Sequence, residues 1–83
     1  MVNGAFNLTT TAYSPSPLTV AVGAVVTFVN NDVAVHDARA DNGRFATPLI
    51  QPGGSAAVTL STAGSIVYRC SIHPGMVGTI NVQ

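Results

Sequence analysis

Residues 64–76 read Gly-Ser-Ile-Val-Tyr-Arg-Cys-Ser-Ile-His-Pro-Gly-Met. In the first half, Ile66, Tyr68 and Cys70 fall on one side of an extended chain, with Val67 and Arg69 on the other. This alternation predicts a strand with Cys70 turned inward and Arg69 toward water. In the second half the period stops. A Cys, a His and a Met fall within the seven residues Cys70–Met76, and Pro74-Gly75 marks a turn. The stretch therefore reads as a strand that ends in a short loop carrying sulfur and nitrogen donors.

Working outward, the same two-residue period recurs at Leu18, Val20 and Val22. Val, Ile and Thr supply 25 of the 83 residues, while Glu and Lys are absent. Branching at Cβ suits a pleated surface, and the missing residues are good helix formers. No window carries a sustained helical apolar pattern with caps. Turn signals stand at Ser14-Pro15-Ser16-Pro17, Gly23, Asn30-Asn31-Asp32, Asp41-Asn42-Gly43, Gln51-Pro52-Gly53-Gly54, Ala63-Gly64 and His73-Pro74-Gly75. Between them strands are expected at about 5–12, 17–22, 24–30, 36–40, 54–60, 64–70 and 78–82. Phe45 to Gln51 shows no clean period. Asn7-Leu8-Thr9 fits a glycosylation sequon and is read as ordinary strand. Short strands at this spacing predict two packed sheets, an all-β sandwich. With no repeat and no linker, residues 1–83 are expected to form one domain.

Composition narrows the function. Charged residues make up 7% of the chain, against about 25% in a typical domain. The net charge is zero, so there is no electrostatic footprint for nucleic acid and no polybasic membrane patch. Disorder requires low hydrophobicity, whereas 47% of this chain is hydrophobic. The longest apolar stretch, Val20 to Val29, is about ten residues and contains Gly23 and Thr27; a membrane helix needs about 20. A single Cys makes no internal disulfide. Met1-Val2-Asn3-Gly4 lacks the charged start and apolar core of a signal peptide. The expectation is a cytosolic protein or a mature domain behind an initiator Met.

The donors remain to be explained. His36 lies 34 positions before Cys70, and Met76 is the one Met besides Met1. Taken singly, each has an ordinary reading: a buried thiol, a structural imidazole, a core gap-filler. Their clustering in a chain so poor in reactive side chains points to a metal. Zinc would use His36, Cys70 and His73 and leave Met76 without a role. Iron–sulfur clusters need about four Cys. Dinuclear copper needs a second bridging thiolate, and multicopper sites need more His. One thiolate, two imidazoles and a weak thioether suit a single copper ion.

These residues resemble those of a family, the cupredoxins. VAVGAVVTFVNNDVAVH (Val20 to His36) is similar to the family's strand-turn-strand leading to its first His ligand. Gln51-Pro52-Gly53-Gly54 looks like its mid-chain turn, and YRCSIHPGMVGTINV (Tyr68 to Val82) like its ligand loop and last strand. The C-x2-H-x2-M spacing is similar to that of the amicyanins, within a plastocyanin-like family. The resemblance implies a two-sheet Greek-key β-sandwich of about seven to eight strands. It implies copper ligation by His36, Cys70 and His73, with Met76 axial. Where the family commonly has Asn or Thr after the first His, this chain has Asp37. Asp37 either accepts hydrogen bonds from a backbone amide or from Ser71, and, if ionised near copper, favours Cu(II) and lowers the potential, or is a solvated strand residue. Arg69 stands where some members carry an exposed aromatic beside the Cys.

The expected function is electron transfer by one copper ion cycling between Cu(I) and Cu(II), not enzyme chemistry. There is no Glu to act as a general base, and both His are taken by the metal. Redox partners are expected to dock on an apolar patch around His73, formed by Val33, Ala34, Pro74, Gly75 and Val77. With six charges in all, steering should be weak. The protein is expected to be a monomer that works, like most of the family, outside the cytoplasm. A copper carrier, or a structural or zinc-binding β domain of a larger protein, are the other readings.

Overall fold

The computed structural model describes Met1, Gly4 and residues 12–83. Among these, the chain forms six strands: β1 (Leu18–Val20), β2 (Ala24–Val29), β3 (Arg39–Ala40), β4 (Ser55–Leu60), β5 (Gly64–Arg69) and β6 (Val77–Val82). They make two sheets, one of four strands in the order β1-β6-β5-β3 and one of two, β2-β4. There is no helix among the described residues. The two-sheet all-β architecture is the one expected, and most strands fall within two residues of their predicted bounds.

The alternation does the sorting. On β5, Ile66 and Tyr68 are buried while Val67 is exposed; on β6, Gly78, Ile80 and Val82 are buried between half-exposed neighbours. The strands run antiparallel with Ile66 opposite Ile80 and Tyr68 opposite Gly78. On β2 and β4, Phe28 and Leu60 point inward, whereas Val25, Thr27, Ser55, Ala57 and Thr59 face out. Phe28 from one sheet meets Tyr68 from the other edge-to-face, with ring centroids 5.3 Å apart. Tyr13 and Phe45 complete the cluster, at 4.7 Å and 5.8 Å from Tyr68. Edge-to-face geometry suits the ring quadrupoles and adds to the burial.

Gly78 makes this packing possible. The Tyr68 ring lies directly over it, and a Cβ at residue 78 would overlap the ring's hydroxyl end. At Gly23 the reason is different: φ is +89° in the turn from β1 to β2, a region costly for other L-residues.

The strand expected over 36–40 is shortened. Only Arg39 and Ala40 form a ladder, opposite Arg69 and Tyr68. His36 makes an isolated bridge with Ile50, and Arg39 with Ala46. Between them, the Thr47 hydroxyl accepts from the Ala38 amide at 3.0 Å, and the Thr47 amide donates to the Ala38 carbonyl at 2.9 Å. A side chain takes the place of a main-chain partner, and Pro48 has no N–H to give. Residues 45–50 are thus stitched to 36–40 at points, which is why they show no period. The expected strand 5–12 lies outside the described residues apart from Ala12, as does the Asn7 sequon.

Candidate metal centre

Three pieces of backbone meet at one end of the sandwich: the loop after β2, the end of β5, and the loop from Ser71 to Met76 that leads into β6. The last is closed by its own hydrogen bonds. The Cys70 amide donates to the Met76 carbonyl at 3.2 Å, and the Met76 amide to the His73 carbonyl at 2.9 Å. Cys70 and Met76 are fully buried, while His73 is half-buried. His36 is fixed by a main-chain pair with Ile50, at 3.2 Å and 2.6 Å, and is also fully buried.

The donors converge. Cys70 Sγ lies 3.8 Å from His36 Nδ1 and 3.8 Å from His73 Nδ1, and the two Nδ1 atoms are 3.2 Å apart. First-row bond lengths of about 2.0 Å to imidazole and 2.3 Å to thiolate give trigonal edges of roughly 3.5–3.7 Å. The triangle has the right size for one ion. Adding the buried Met76 beside it, the donor set is soft and mixed, which suits one type 1 copper site better than zinc.

Asp37 ties two of the three pieces together. Its carboxylate accepts from the Ser71 amide at 2.7 Å and from the Ser71 hydroxyl at 2.6 Å. Asp37 is 4% exposed and Ser71 is exposed, so these bonds join the interior to the surface. Its carbonyl takes the Tyr13 hydroxyl at 2.6 Å. Burial, and after it the negative charge of a Cys70 thiolate, push the Tyr13 hydroxyl far above the usual tyrosine range, so it stays a donor. Burial also pushes Tyr68 up to about 12.

Two residues read from sequence only as a turn prove to organise the site. Asn30 is fully buried, and its side-chain amide donates to the Ala34 and Ile50 carbonyls, both at 2.8 Å. Asp32 Oδ2 lies 2.6 Å from His36 Nε2, both side chains fully buried. The signal was present as the four-residue spacing from Asp32 to His36, but in a loop that spacing has no fixed meaning.

Of the expected patch, Val33 is 77% exposed, Pro74 and Gly75 are exposed, and Ala34 and Val77 are half-buried. Leu49 and Ile72, which the sequence reading passed over, are also exposed apolar side chains. Leu49 adjoins the Ile50 that pairs with His36, and Ile72 adjoins His73. The exposed ion pair is elsewhere: Arg69 grips Asp41 with two bonds, at 2.8 Å and 2.6 Å, and these hold the Asp41 carboxyl below its ordinary value. Thus Asp32 and Asp37 are sealed beside the donors, while Asp41 and the arginines Arg39 and Arg44 stand outside.

An all-β sandwich with a Cys-His-His triangle and a buried Met at one end defines a cupredoxin. The chain belongs to the plastocyanin/azurin family of copper-binding proteins, whose profile matches residues 2–83. It is 38% identical over 82 residues to plastocyanin of Prochlorothrix hollandica, an alignment of 86% of this chain and 63% of that protein. It is 33% identical to plastocyanin of Scenedesmus fuscus, with 86% of each chain covered. The chain thus spans 63% of the length of the first of these relatives. Among solved structures, a purple cupredoxin from Nitrosopumilus maritimus superposes with a TM-score of 0.87 at 30% identity, covering 99% of this chain and 94% of that one. A reduced amicyanin variant gives a TM-score of 0.74 at 28% identity, covering 80% and 68%. The resemblance to the cupredoxins is borne out, with plastocyanins among the relatives and amicyanin among the similar structures.

Proposed function

We propose that this chain is a single-domain electron carrier in which His36, Cys70 and His73 would hold one copper ion, with the Met76 thioether as a fourth, weaker donor. The observation that carries the reading is the meeting of one sulfur and two nitrogens at 3.2–3.8 Å. Bound copper supplies one-electron chemistry between Cu(II) and Cu(I). The chain's part is to hold its donors still. The Asp37–Ser71 bonds lock the His36 segment to the ligand loop. Pro74 fixes one φ of the ligand loop and carries no amide N–H. A small change of geometry between oxidation states favours rapid exchange. Four protein donors leave no open position for a substrate, which argues against an enzyme.

The electron's exit is His73, the half-buried member of the set. Val33, Ala34, Pro74, Gly75 and Val77, with Leu49 and Ile72 added, form the face on which redox proteins dock. The protein acts as a monomer outside the cytoplasm, as a cupredoxin of this kind does. Titrating the apo-protein with Cu(II) tests the reading. An intense visible band with a narrow copper hyperfine splitting is expected, and Cys70→Ser should abolish it. A colourless product, or a Cys70→Ser protein that keeps its absorbance and reversible voltammetry, refutes the site.

A further inference from the structure

We infer that Asp32 is the positioning residue of this centre: its buried carboxylate keeps the His36 proton on Nε2, bares Nδ1 toward Cys70 and His73, and biases the bound ion toward Cu(II). The inference rests on the reading that His36 is a copper ligand.

Among the described residues, the two oxygens of Asp32 take different partners. Oδ1 accepts from the Gly4 and Val33 amides, both at 2.8 Å. That is loop architecture. Oδ2 meets His36 Nε2 at 2.6 Å. The Asp32 amide itself donates to Asn30 Oδ1 at 3.0 Å, so the backbone that carries the carboxylate is anchored. Both side chains of the pair have no exposed surface. A buried carboxylate is costly unless donors meet it, and here donors meet both oxygens. With two amide protons already on the carboxylate, the proton of the short contact stays on the imidazole. Neutral imidazole carries one proton, so Nδ1 keeps its lone pair. That lone pair is the one facing Cys70 Sγ and His73 Nδ1. An acid behind a ligating His also raises its basicity, and a fixed negative charge favours the more positive metal.

Asparagine cannot replace Asp32 without a conflict. If its oxygen faces His36, its amide group is set against the Gly4 and Val33 amides, donor against donor. If its oxygen faces those amides, its NH2 meets His36 Nε2 and forces the ring proton onto Nδ1, where copper must bind. Either arrangement disturbs the centre, and neither retains the charge.

The test compares wild type and Asp32→Asn as copper-loaded proteins. Equilibration with a reference redox couple is expected to shift at least tenfold toward Cu(I) in the variant, about 59 mV for a one-electron couple. In the Cu(I) protein, imidazole 1H–15N spectra of the wild type should show the His36 Nε2 proton protected from solvent exchange, and faster exchange in the variant. A purely architectural Asp32 would lower folding stability and leave the redox equilibrium unmoved. An equilibrium within twofold of wild type overturns the inference. If the variant does not fold, the wild-type spectrum decides: a rapidly exchanging Nε2 proton overturns it and a protected one upholds it. Failure of the wild type to bind copper would instead strike the proposed site itself, so the two failures are distinguishable.

Discussion

Ser71→Ala removes one atom and breaks one of the two bonds that join the ligand loop to the His36 segment. The Ser71 hydroxyl donates to Asp37 Oδ2 at 2.6 Å, and Asp37 is 4% exposed. Ser71 is itself exposed, so its loss leaves no cavity. The cost is that of a hydrogen bond to a charged acceptor, about 1.5–3 kcal/mol. The low end applies if water fills the vacated place beside the loop. For a domain of this size each kcal/mol moves Tm by about 4–8 °C, so the variant should melt roughly 6–24 °C lower. The assay is thermal and urea unfolding of the apo-protein followed by circular dichroism, which keeps metal linkage out of the result. The urea slope should not change, because the native surface does not. Asp37→Asn is the control. Its amide oxygen retains the Ser71 amide bond, and its NH2 donates to the Ser71 hydroxyl, which rotates to accept. It should cost less than about 1 kcal/mol. A Ser71→Ala apo-protein within about 0.5 kcal/mol of wild type, or an Asp37→Asn protein as unstable as Ser71→Ala, refutes the reasoning.

Other outcomes follow from the packing and the charges. Gly78→Ala drives a methyl into the Tyr68 ring and should destabilise the apo-protein by about 1–3 kcal/mol, read by urea midpoint at unchanged slope. Tyr68, raised to about 12 by burial, and Tyr13, raised further, are the only tyrosines in the chain. Since the unfolded groups ionise near 10, the stability they contribute is intact below pH 10 and lost as pH climbs through 12. Ultraviolet titration should therefore show no more than about a tenth of Tyr68 ionised in the native protein at pH 11; a hydroxyl titrating near 10 in the folded state contradicts this. Electron exchange with a redox partner should vary less than roughly threefold between low and moderate salt. A steep fall on adding salt would show that the arginines, not the apolar face, guide docking.

Much of the architecture was legible because its signals are local. β5 and β6 announce themselves by alternation, and Gly23 and Gly64 by turn chemistry. The donors were legible because Cys70, His73 and Met76 are close in the chain and little else in it is reactive. What escaped was long-range. That Thr47 would substitute its hydroxyl for a main-chain partner, reducing the 36–40 strand to Arg39–Ala40, depends on a pairing that no period encodes. Asp32 looked like a turn residue because asparagine and aspartate serve turns so often. Its second oxygen found His36 only through the path of the loop. For Asp37 the sequence left two readings open, a tie to Ser71 suggested by the family's Asn at that position and a solvated strand residue; the structure has Asp37 accepting from the Ser71 amide and hydroxyl.

The formal charge of zero conceals a layering. Two of the three anions are sealed in the interior next to the donor atoms, and the third is clasped by Arg69. Solvent therefore sees Arg39 and Arg44 more plainly than any acid. Close to its surface such a molecule is uneven in sign, although at a distance the charges cancel. Its migration in an electric field follows the arithmetic, whereas a small anion that comes close meets Arg39 and Arg44 on the shell.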